Sequence, residues 1–377
     1  MADVNGTVES GFERVREVFE ANFAERGEVG AACSVWVGGR EVVDLAGGVV
    51  APGGAPYTRQ TLQMVASATK GAMAICALRL AERGELDLDA PVATYWPEFA
   101  AAGKAELPVR WLLTHQAGLP YADPVIPMAQ VYRWTPMTDA LAAQAPVWEP
   151  GAAHGYHAMT YGWLVGEVLA RVTGTSAGEV LRKEVADPLG IDFFVGLPEP
   201  EFERVAPLRP APVSAEPDPL TVLMIDPNQL AHRAFFIPNG LMSALNDPAA
   251  WSAQLPAANG FSTARSLSRM YAACLGEVGG VRLLSESTLA AATTPRAEGT
   301  DRVLGVESRF GLGFQLSYPL RPFAGPGSFG HYGLGGSVGF AHASRGVTFG
   351  YVVNQMLPGG MVDPRSSALI EAVFAAA

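Results

Sequence analysis

β-Patterned runs stand near both ends of this 377-residue chain with a long helical middle between them, and that arrangement constrains the fold more than any other feature. Near the start, Ala32 to Val37 and Glu41 to Val50 are strand-like and are split by Gly38-Gly39-Arg40, whose glycines suit a tight hairpin. Near the end, Phe310 to Tyr318, Gly336 to Ser344 and Val347 to Gln355 read as strands, the last two divided by Arg345-Gly346. Val8, Phe12, Val15, Val18, Phe19 and Phe23 recur three or four apart, which predicts an amphipathic helix over 7–26, and a second helix over 362–376 closes the chain. Such an order implies one antiparallel sheet in which the two ends meet, covered by the terminal helices, and a cleft against a second lobe. The expected class is therefore mixed α/β of the α+β kind. It forms a single unit over 8–370, with a sheet lobe from 1–60 and 261–377 and a mainly helical lobe from 61–260.

Within the middle, helices are expected at 67–83, 109–115, 159–173 and 175–186, and another at 263–275, with Gly84 and Gly174 as C-terminal caps. Residues 198–256 hold eleven of the 29 prolines and little periodicity, and read as an ordered, loop-rich cover over one wall of the cleft. Phe235, Phe236 and Trp134 are the candidates for an apolar pocket wall. The chain is 49% hydrophobic, enough to bury a large core without disulfides, so the isolated Cys33, Cys76 and Cys274 read as buried thiols. A net charge of −11 opposes binding to nucleic acid or anionic membrane. No run of about 18 apolar residues predicts a membrane span, and the first residues lack the pattern of a secretion leader, so a cytoplasmic location is expected.

Chemistry is signalled by Ser67-Ala68-Thr69-Lys70, placed where an apolar stretch becomes a helix. If Ser67 opens that helix, Lys70 lies one turn on along the same face and its amine reaches the hydroxyl. The apolar flanks desolvate Lys70 and favour the neutral amine that a general base requires. Ser-x-x-Lys alone is a common tetrapeptide, but a lysine inside a helix this apolar would be costly without a purpose.

With its companions, the motif resembles the serine β-lactamase and penicillin-binding-protein superfamily, in which S-x-x-K is followed by Y-x-N and K-T-G. Leu112 to Pro120 is similar to the family's loop leaving a helix, Tyr156-His157-Ala158 stands at the Y-x-N position and His331-Tyr332-Gly333 at K-T-G. Ala158 replaces an amide and His331 replaces a permanent cation, which disfavours penicillin hydrolysis. In these departures the chain resembles the family VIII carboxylesterases. That resemblance implies a β-lactamase/transpeptidase-like fold and a small-molecule ester as substrate. Ser67 would be the nucleophile, with Lys70 and Tyr156 as general base and acid, and a Lys70 cation would lower the Tyr156 phenol. The N–H groups of Ser67 and Leu334 would form an oxyanion hole, and His331 and Gly333 would line the substrate strand. No cofactor or metal is implied. The same acyl-enzyme leaves an acyltransferase, a weak β-lactamase or a D-Ala peptidase open, and a non-catalytic ligand-binding homologue is the alternative of another class.

Gly335-Gly336-Ser337-Val338-Gly339 matches the G-x-S-x-G elbow, but a β-hairpin pattern follows where that motif needs a helix, so Ser337 is rejected as nucleophile. His115 reads as a structural helix cap and Asp87 with Asp89 as a solvated turn. His154 and His157 have no carboxylate close in sequence and do not form a metal motif.

Overall fold

The computed structural model describes residues 3–212, 216–357 and 362–377. Its nine-stranded antiparallel sheet runs in the order Val4–Val8, Arg40–Gly48, Gly30–Val37, Val347–Val353, Val338–His342, Ser328–Tyr332, Gln315–Leu316, Glu307–Phe310, Ala297–Thr300. The two ends of the chain meet at its centre, where Val37 faces Val347 and Ala31 faces Val353. Every residue of Val347–Val353 is buried, as expected of a strand covered on both faces.

Helices Glu13–Glu25 and Pro364–Ala376 pack side by side on one face, where Val15, Phe19, Leu369 and Val373 close a core over Val35 and Phe349. Helix Ala264–Leu275 covers the other face so closely that a Cβ on Gly350 would stand 2.2 Å from the Ala264 carbonyl oxygen; glycine is what permits the contact. The helical lobe is built on Thr69–Glu82, whose run from Thr69 to Leu78 is entirely buried, and on Thr160–Thr173, which Gly174 ends in the left-handed conformation.

Several local expectations change. Residues 4–8 form an edge strand on Arg40–Gly48, so Val8 pairs with Val43 and the first helix begins only at Glu13, beyond Gly11 at φ +95°. The run from Phe310 to Tyr318 is two short strands folded back through Gly313 at φ +81°. The cover over 198–256 holds helices Pro219–Ile225, Leu230–Ala234, Leu241–Ala244 and Pro248–Ser252. Two of its prolines start helices, after the capping carboxylates of Asp218 and Asp247, because a first-turn residue has no intrahelical use for an N–H. Part of that cover, 213–215, lies outside the described residues. The three cysteines are free and buried. Among the described residues, no helix is long and apolar enough to cross a membrane.

Candidate active site

Strand Leu62–Met64 belongs to a small second sheet and delivers the chain to Ser67. Ala66 adopts φ +46°, a conformation a non-glycine residue rarely takes, and the turn it starts presents Ser67 half-buried at a pocket. The Thr69 hydroxyl clamps the turn, donating to the Ala66 carbonyl at 2.6 Å and accepting the Gly260 N–H at 2.9 Å. The helix begins at Thr69, two residues later than expected, yet the Lys70 N–H still bonds the Ser67 carbonyl at 3.0 Å, which keeps the one-turn offset between the two side chains.

Lys70 has no accessible surface, and its Nζ lies 3.2 Å from Ser67 Oγ. Its other neighbours are main-chain carbonyls, Ala158 at 2.7 Å and Ala257 at 2.9 Å, to which it donates. A neutral amine has two N–H bonds and one lone pair. Two carbonyls and one hydroxyl therefore match it, with the lone pair facing the Ser67 O–H. Burial holds Lys70 well below the ordinary lysine value, in the direction this arrangement requires.

Tyr156 is buried and lines the same pocket as Ser67. Its ring centroid is 4.8 Å from Lys70 Nζ. The expected lowering of the phenol is not what the structure gives: burial pushes it above the ordinary tyrosine range, Ser67 and Arg321 opposing only in part, so the group is a neutral phenol and a proton donor.

The Tyr156 segment has no regular structure, and three consecutive N–H groups are instead taken up by two residues. Gly155 donates to the His115 carbonyl at 3.0 Å, Tyr156 to Asp301 Oδ1 at 3.0 Å, and His157 to His115 Nδ1 at 3.1 Å. His115 does end helix Arg110–Leu113, in the left-handed conformation at φ +61° with the Gln116 N–H on the Trp111 carbonyl, and it is also a buried support whose ring lies 5.0 Å from that of Tyr156. Asp301 Oδ1 also accepts the N–H groups of Val303 and Leu304, both at 2.9 Å, which ties Tyr156 to a wall of the pocket. Burial and Lys70 hold His157 down to about 4, and its ring is neutral: Nδ1 donates to the Gly155 carbonyl while Nε2 accepts the Leu119 N–H.

Opposite Ser67 runs the turn after Ser328–Tyr332. A Cβ on Gly333 would stand 2.3 Å from the Val65 carbonyl oxygen, so the missing side chain is what lets this turn reach the segment carrying Ser67. Ser67 and Leu334 border one pocket, and neither of their main-chain N–H groups is engaged by another group among the described residues. Arg365, wholly buried between Glu28 and Asp363, steadies the turn by donating to the Gly335 carbonyl at 3.4 Å. Ser337 leads into strand Val338–His342 and not into a helix.

The pocket at Ser67 is narrow, about 30 Å³, with Leu220, Phe235 and Leu304 as apolar walls and Gln315, Arg321 and His331 as polar ones. Of the aromatic residues expected here, Phe235 arrives. Phe236 stacks on Trp163 in the helical lobe, and Trp134 lines a different cavity of about 570 Å³, its indole N–H donating to Glu167. That larger cavity holds none of Ser67, Lys70, Tyr156 or His331, so its size says nothing about the chemistry. Sequence reasoning missed Asp301, Arg321 and the carbonyls of Ala158 and Ala257, since nothing local distinguishes them.

Comparison with known proteins bears on the family and the fold. A family model described as beta-lactamase matches residues 15–373. An esterase/beta-lactamase of Mycobacterium tuberculosis, LipL, is 37% identical over 369 residues, covering 94% of this chain and 83% of its own. The crystal structure of a penicillin-binding protein homolog from Caulobacter crescentus superposes with a TM-score of 0.91 at 38% identity over the whole of both chains. That of a family VIII carboxylesterase does so with 0.90, also at 38% identity over both.

Proposed function

The chain belongs to the beta-lactamase family, and from that premise we propose that it is a serine carboxylesterase working through an acyl-enzyme on Ser67. One observation carries the reading: the Ser67 hydroxyl stands 3.2 Å from a buried amine and shares its pocket with the Tyr156 phenol.

In this mechanism the Ser67 O–H gives its proton to the Lys70 lone pair as Oγ attacks the ester carbonyl. The carbonyl oxygen becomes an oxyanion held by the N–H groups of Ser67 and Leu334. Tyr156 donates its proton to the departing alkoxide, and the Lys70 ammonium restores it. Water then attacks the acyl-enzyme: its proton goes to Tyr156 as Tyr156 passes its own to Lys70, and the Lys70 ammonium returns a proton to Ser67 Oγ as that bond breaks and the acid leaves. The neutral His331 and the methyl group of Ala158, where relatives with K-T-G and Y-x-N have a cation and an amide, favour a plain ester over a penicillin.

Rapid mixing with p-nitrophenyl butyrate tests this. A burst of p-nitrophenol is expected from the wild type and from Ser337→Ala, and none from Ser67→Ala. Loss of activity in Ser337→Ala alone would overturn the assignment, and turnover of nitrocefin faster than of the ester would replace the substrate class.

A further inference from the structure

His331 stands at the edge of the Ser67 pocket with one side of its ring committed. Its Nδ1 is 2.7 Å from the Tyr332 carbonyl and donates to it, which leaves Nε2, on the far side of the ring, as the lone-pair acceptor. Burial holds the ring well below the ordinary histidine range, with Arg321 adding to it, so this neutral tautomer persists through physiological pH. The residue is 2% exposed, yet Nε2 has no hydrogen-bond partner among the described residues. Tyr156 lies beside it with its ring centroid 5.9 Å away and does not pair with Nε2. Buried acceptors in folded proteins are nearly always paired, by protein or by water, and at a pocket wall a donor on the ligand can take that place.

The charges around the pocket narrow the kind of donor. Arg321 shares the pocket with His331, and its positive charge opposes an ammonium group there. A carboxylate on the substrate would set oxygen lone pairs against the Nε2 lone pair. A hydroxyl meets the acceptor without adding charge, while Leu220, Phe235 and Leu304 suit a short apolar chain around it.

We propose that this site prefers neutral esters with a free hydroxyl within two or three carbons of the ester group, the O–H donating to His331 Nε2. The inference rests on the carboxylesterase reading and adds a substrate class to it. A pocket shaped to bond a substrate hydroxyl discriminates against the analogue lacking it, because the buried acceptor is then left bare.

Two matched pairs test it: ethyl 3-hydroxybutyrate against ethyl butyrate for the acyl side, and 2-hydroxyethyl butyrate against propyl butyrate for the alcohol side. The wild type should favour the hydroxylated member of one pair by at least about tenfold in kcat/KM. His331→Leu should bring that ratio to about one, and His331→Gln, which keeps an acceptor, should retain most of it. Ratios near one for the wild type on both pairs would overturn the proposal, as would an unchanged ratio in His331→Leu or a wild-type preference for monoethyl succinate, which would hand selection to Arg321. Equal turnover of all the esters defeats this inference alone, whereas turnover of none defeats the carboxylesterase reading with it.

Discussion

Two lysines in this protein have no accessible surface, and their surroundings differ by one atom type. Lys104 donates to three carbonyls, Ala101 at 2.8 Å, Ala142 at 3.0 Å and Gln144 at 2.5 Å, and so joins separate loops of the helical lobe. Lys70 donates to two carbonyls, and its third neighbour is the Ser67 hydroxyl. Three carbonyls can be satisfied only by an ammonium, because a neutral amine would turn its lone pair on one of them. Two carbonyls and a hydroxyl suit the neutral amine, since a hydroxyl can reverse from acceptor to donor. Burial lowers both, Lys104 to about 8 and Lys70 well below the ordinary value. On the proposed mechanism the first is a charged structural clamp and the second the base. A buried lysine is thus not catalytic by virtue of burial; the chemistry of its last neighbour decides.

The largest expected effect that tests this contrast is on rate. Lys70→Met should lower kcat/KM for p-nitrophenyl butyrate by about 10⁴-fold, the range of a lost general base, with the circular-dichroism spectrum unchanged. Lys104→Met should leave kcat/KM within about twofold while lowering stability by about 1–3 kcal/mol, because the buried Ala142 carbonyl and two more accessible ones lose their donor; thermal melts read this. Equal losses of activity in two folded variants would erase the distinction.

The pH dependence sharpens it further. The proposed mechanism requires Lys70 without its proton, so the acidic limb of kcat/KM should lie well below the ordinary lysine value and be untouched by Lys104→Met. A limb near 8 that vanishes in Lys104→Met would assign the base to the wrong lysine. The smallest effect is on stability above pH 8. There the folded protein has released the Lys104 proton while the unfolded chain keeps it up to the ordinary value, so the unfolded state binds more protons and stability rises with pH. Denaturant titrations from pH 8 to pH 10 should show that rise in the wild type, and a shallower one in Lys104→Met.

Ser67 and Lys70 were legible because a helix converts a spacing of three into a shared face, and Tyr156 because its segment follows in the order that the resemblance requires. Phe235 was assigned to the pocket and Phe236 with it, although adjacent side chains diverge and only one can face the same cavity. Trp134 failed for a similar reason: no local pattern says which of two cavities a loop residue lines. His115 reads as a cap from its place after a helix, and only the return of the chain at Gly155–His157 makes it a support for Tyr156. The expected lowering of the Tyr156 phenol assumed a Lys70 cation, and burial removed that assumption by acting on both groups at once.

By itself the sequence determined the strand-rich ends, the helical middle, and the hydroxyl and amine held one turn apart, because these follow from periodicities of two and three to four residues. Only the tertiary structure decided the protonation of that amine, the neutral state of the phenol and the acceptor left at His331. Each of these depends on which distant carbonyls, carboxylates and apolar walls surround the group, and burial and hydrogen bonding act through space without regard to position along the chain.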